Sequence, residues 1–74
     1  MSQQRSGRQV LASGIISDTQ INGGKPIVEG TRVPVKIVLV DIAQGMSVQE
    51  ISEEYDLTEQ QIKNALAYAA ALVP

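Results

Sequence analysis

With no histidine and no cysteine among its 74 residues, the chain brings only carboxylates, Lys, Arg, two tyrosines, hydroxyls and amides to any chemistry. Without imidazole or thiol there is no Ser-His-Asp or Cys-His nucleophile, no thiol redox couple and no structural zinc site. One small domain also offers little room for a deep substrate pocket. We therefore expect no catalysis, no cofactor, no metal and no small-molecule substrate. The chemistry left is recognition, and Gln60, Lys63, Asn64 and Ala67 are spaced for it on the outward side of a predicted C-terminal helix. Gln and Asn can bond adenine edges and Lys reaches guanine or phosphate. Glu59 opposes phosphate and one Lys releases few counterions, so a single copy should hold DNA weakly. Two copies, with Arg5 and Arg8 on N-terminal arms, would restore affinity. The competing reading is an ordinary solvated helix face.

The elements that must position these residues follow from periodicity. Residues 1–13 mix small and polar types without a sustained period, which predicts a mobile arm. From residue 15 to 33, Ile15-Ile16, Ile27-Val28 and Thr31-Arg32-Val33 alternate with Gly and Pro turn signals, a short β element at most. The period then changes to helical. Pro34 suits a helix start, Val35, Val38, Leu39 and Ile42 form a stripe, and Gly45 is placed to end it, predicting a helix over 34–44. Ser47 with Glu50 and Thr58 with Gln61 have capping-box spacing and predict helices over about 48–55 and 59–72. A supporting helix followed by a short helix, a tight Tyr55-Asp56-Leu57-Thr58 connection and a longer helix has the spacing of a helix-turn-helix.

Charge is divided along the chain. Arg5, Arg8, Lys25, Arg32 and Lys36 against Asp18 and Glu29 leave residues 1–40 at +3. Residues 41–74 stand at −5, where Lys63 faces Asp41, Glu50, Glu53, Glu54, Asp56 and Glu59. The net charge of −2 argues against a general polyanion binder. Ile37 and Val40 lie off the core stripe of the first helix, leaving an apolar flank that fits a homodimer or partner surface; packing beneath the N-terminal segment is the alternative. A core of this size rarely supplies more than about 3–5 kcal/mol, so self-association is a natural source of further burial. No membrane span or secretory leader is visible, and the lack of cysteine fits a reducing cytoplasm.

The run GGKPIVEGTRVPVKIVLVDIAQGMSVQEISEEYDLTEQQIKNALAYAA, with IISD ahead of it, closely resembles a prokaryotic family known as domain of unknown function 433. Five ordered blocks carry the resemblance, over about residues 15–71: Gly-Lys-Pro, Gly-Thr-Arg-Val-Pro-Val, Gly-Met-Ser, Tyr followed by Leu-Thr, and Ala-Leu-x-Tyr-Ala. The resemblance implies a three-helix, homeodomain-like fold with a small N-terminal β element; joined to the helix periodicity and the apolar flank of the first helix, it leads us to expect a mainly α helix-turn-helix domain working as a homodimer. It also implies a VapB-like antitoxin that neutralises a PIN-like ribonuclease toxin and binds operator DNA to regulate its own synthesis. The signature falls on Gly24, Lys25, Pro26, Gly30, Thr31, Arg32, Pro34, Gly45 and Tyr68, and none of these is catalytic in what the resemblance implies.

Most of these positions also have a backbone explanation. The glycines serve turns, the prolines fix the entry to the first helix, and Thr31 bonds backbone. Arg32 is expected to pair with Glu53 or Glu54. Toxin contact is expected through Glu50, Glu53 and Glu54 on the second helix, whose sign complements an RNA-binding surface, or through Arg5 and Arg8 meeting metal-site carboxylates. The alternative is a protein–protein or dimerisation scaffold with no nucleic-acid role.

Overall fold

The computed structural model describes residues 7–74. It begins with a hairpin: β1, Arg8–Ala12, runs antiparallel to β2, Ile15–Asp18. Gly14 makes the turn at φ 75°, and a Cβ there would collide with the Asn64 amide, so glycine is required for both conformation and approach. After a 3₁₀ turn at Asn22–Gly24 the chain returns as β3, Ile27–Val28, antiparallel to β2. Three helices follow: α1, Val35–Ala43, α2, Val48–Tyr55, and α3, Glu59–Ala71. No helix among the described residues is long and apolar enough to cross a membrane.

Each helix boundary has a local cause. Pro34 stands just before α1 with extended backbone, and Gly45, at φ 97°, turns the chain out after it. Ser47 Oγ accepts from the Glu50 amide at 3.1 Å while Glu50 Oε1 accepts from the Ser47 amide at 2.8 Å. Thr58 and Gln61 repeat the exchange at 3.0 and 2.8 Å. Both capping boxes satisfy amides that a helix start leaves unpaired. Between α2 and α3, Asp56 adopts the left-handed region at φ 57°, which lets Leu57 bury and its amide reach the Ser52 carbonyl at 3.0 Å.

The architecture corrects the mainly α, homeodomain-like expectation: the helices pack on a three-stranded antiparallel sheet of order β1-β2-β3. The largest fully buried side chains divide evenly, with Ile15, Ile27 and Val28 from the sheet and Val38, Ile51 and Ile62 from the helices. Burying such a side chain is worth roughly 1.5–3 kcal/mol, so the sheet, with Ile15, Ile16, Ile27 and Val28 all buried, is a substantial part of the core rather than an appendage. Residues 8–12 of the expected arm are its first strand. That strand was hidden because its period is broken: Val10 pairs with Ile16 and Ala12 with Ile15, so Leu11 is an extra residue in a β-bulge. The bulge lets Leu11 and Ala12 both pack against the core.

Candidate functional site

The outward side of α3 is less open than its spacing implies. Gln60 Nε2 donates to Asn64 Oδ1 at 3.0 Å, and Asn64 is half-buried beneath the Gly14 turn. Lys63 stands 3.6 Å from Glu59. Both contacts are exposed and weak, so Gln60, Lys63 and Ala67 remain available at the surface. Asn64 does not, because the hairpin occupies the space in front of its amide.

The cationic candidates separate. Arg8 belongs to β1, where its guanidinium lies 3.3 Å from Glu29. Arg5 lies outside the described residues. Arg32 is exposed, with no carboxylate within 4 Å among the described residues, so the expected pair with Glu53 or Glu54 does not form. Glu53 instead accepts from Gln49 Nε2 at 3.3 Å. The turn before Arg32 is held without its side chain, because Thr31 Oγ1 donates to the Val28 carbonyl at 2.8 Å and accepts from the Val33 amide at 3.0 Å.

On α2 the expected carboxylates do share one open region. Glu50, Glu53 and Glu54 are exposed, as is Asp56 at its C-terminal cap, and none has a Lys or Arg within ion-pair distance among the described residues. The helix is fastened from its other side by Tyr55, whose hydroxyl donates to Asp41 Oδ2 on α1 at 2.7 Å. That hydrogen bond, then desolvation and the nearby charges of Asp41 and Glu54, hold the Tyr55 hydroxyl above its ordinary pKa. No cluster of three or more potential metal ligands occurs among the described residues.

Ile37 and Val40 part company: Val40 is exposed on α1, whereas Ile37 is half-buried along an open groove between α1 and the C-terminal part of α3. Of the signature positions, Lys25, Pro26, Pro34 and Tyr68 all meet along this groove, joined by Lys36 and Leu72. Gly24, Gly30 and Gly45 all hold left-handed backbone, as their turns require. Sequence reasoning did not assign Lys36 or Leu72. The available signal was the off-stripe Ile37 between the Pro34 entry and a C-terminal helix ending in apolar residues.

Comparison with known proteins places the geometry in context. Residues 15–69 match the family described as "Protein of unknown function (DUF433)". An uncharacterized protein, y4eO, of Sinorhizobium fredii is 41% identical over 58 residues, which cover 77% of this chain and 26% of that protein. A crystal structure of Rv2018 from Mycobacterium tuberculosis superposes with a TM-score of 0.65 at 29% identity, covering 70% of this chain and 24% of the other. The chain thus spans about a quarter of the length of each of these relatives. The match over residues 15–69 takes in β2, β3 and all but the last two residues of the helical part, so the chain belongs to the domain of unknown function 433 family.

Proposed function

We propose that this domain is an antitoxin-like module that binds a PIN-like ribonuclease and neutralises it by covering its RNA-binding surface. The observation that carries the reading is the set of exposed carboxylates on α2 and its cap, Glu50, Glu53, Glu54 and Asp56, none of which has a Lys or Arg within 4 Å among the described residues. A surface that attracts RNA is basic, and a face of opposite sign both steers encounter and fixes the docked orientation. Glu50 is already fixed by its capping box, so it presents its charge with less loss of side-chain freedom than a freely rotating glutamate. The inhibition is steric and electrostatic and needs no reaction by the chain itself.

The test is RNA cleavage by the nuclease encoded beside this chain's own reading frame, with and without the full chain. The intact protein should suppress cleavage, and added salt should weaken suppression. Glu53→Lys combined with Glu54→Lys should raise the concentration needed by about tenfold or more. Undiminished inhibition by that variant would remove α2 from the interface.

A second reading, operator binding, draws on Gln60, Lys63 and Ala67, which remain exposed on one side of α3. It calls for a gel shift on the chain's own upstream DNA that survives competitor DNA and weakens with Lys63→Ala. Absence of a shift, with the nuclease present or not, would leave a protein-binding module alone.

A further inference from the structure

The groove between α1 and α3 belongs to a different face from the α2 carboxylates, and its chemistry is of the opposite kind. Pro26, Pro34, Ile37, Tyr68 and Leu72 give it an apolar lining, and its volume of about 610 Å³ lies in the size range that accepts several large groups. Leu72 is 67% exposed, an open apolar side chain at the groove's end. Among the described residues, Lys25 and Lys36 are the charged ones along it. Both are exposed, and neither has a carboxylate within 4 Å among the described residues. In a chain of net charge −2, two unneutralised cations beside an apolar lining are a specific local arrangement.

We propose that this groove docks an acidic amphipathic segment of a partner protein, with aliphatic or aromatic anchors along the lining and carboxylates on Lys25 and Lys36. Three features select that occupant. The proline wall has no N–H to offer, and the Pro26 carbonyl already accepts from the Val35 amide at 3.0 Å, so an added strand would find no ladder there. Recognition must run through side chains, as when an amphipathic helix lays its apolar face in a groove. A second copy seated symmetrically would bring Lys25 and Lys36 against their own counterparts, since a two-fold interface joins a patch to itself. The chain's own acidic helix does not fit either, because Val48, Ile51 and Tyr55 of α2 are spent on the core, leaving a polar outer face.

The experiment uses a displayed library of helical peptides about four turns long. Apolar residues sit at i, i+3, i+4 and i+7, varied among Leu, Ile, Phe and Tyr, and the flanks vary among Asp, Glu, Lys, Arg and Ser. Selection on the full chain should enrich peptides with acidic flanks. These should bind the Lys25→Glu, Lys36→Glu double variant about tenfold more weakly or worse, and that variant should instead enrich basic flanks. Both lysines are exposed, and an unchanged thermal melt verifies that the variant is folded. No enrichment, enrichment indifferent to flank charge, or equal binding to the double variant would overturn the proposal. So would binding of phosphatidylserine vesicles without peptide enrichment, or a stable dimer dispersed by Leu72→Asp. The outcome is independent of the ribonuclease assay, because no α2 residue lines the groove.

Discussion

α2 and α3 each begin at a side-chain cap that closes within three residues, whereas β1, β2 and β3 exist only because another segment supplies their hydrogen bonds. Ser47 and Thr58 mark their helices before any tertiary contact is made. Ile15 and Val28, paired across β2 and β3, count for nothing until Val38, Ile51 and Ile62 arrive over them. The difference separates local information from cooperative information. It also makes clear predictions about where damage stays confined and where it spreads.

The strongest challenge to that contrast is Ile15→Ala. Ile15 is fully buried and shares one cluster with Ile51 and Ile62, so the cavity should cost about 2–5 kcal/mol. That is comparable to the whole stability of a core this size, and the helical circular dichroism should collapse together with the sheet. Helices that survived in a cooperative melt would make α2 and α3 an autonomous pair, and the contrast would become a boundary between two independent parts.

Gly14→Ala comes next, at about 1–3 kcal/mol, because the turn keeps its positive φ and the new Cβ must displace Asn64. The Asn64 side-chain amide resonances should move in the NMR spectrum while the far end of α2 stays unchanged. Ser47→Ala and Thr58→Ala should each lower stability in urea by about 1 kcal/mol and add when combined. Faster hydrogen exchange should appear in the first turn of the affected helix, and exchange that quickened equally in β2 would contradict a purely local role.

The smallest effect is on pH dependence. Tyr55 keeps its proton to higher pH when folded, so above the ordinary tyrosine value of 10.0 the unfolded chain ionises first and stability falls. The contribution is fully present below that value. Tyr55→Phe should flatten this alkaline decline, read as the difference in urea midpoint between neutral and alkaline buffer. An unaltered decline would assign it to other groups.

The same contrast explains which elements are legible in the sequence alone. The capping boxes and the Val35, Val38, Ile42 stripe announce the helices now seen at Val35–Ala43, Val48–Tyr55 and Glu59–Ala71. β1 was illegible because the bulge at Leu11 breaks its alternation and Val10, 70% exposed, carries no burial signal. For the site, the exposure of Glu50, Glu53 and Glu54 follows from helical spacing alone. The loss of Asn64 to the Gly14 turn does not, because fifty residues separate them and only the packed hairpin brings them together. Lys25 and Lys36 meet on the groove for a similar reason: the bond from Val35 N to the Pro26 carbonyl folds one stretch of chain back on the other.

β2 points isoleucine to both sides of the sheet, Ile15 opposite Val28 and Ile16 opposite Ile27, and all four side chains are buried. Sorting of greasy from wet faces ordinarily fixes strand alignment, since a slip by one residue turns the greasy face outward. Here a slip would trade one isoleucine for another, so that safeguard has little grip. Alignment rests on chain length instead, through the surplus residue at Leu11 and the short link to Ile15. Conservative swaps along this hairpin should therefore be absorbed more readily than the gain or loss of a single residue.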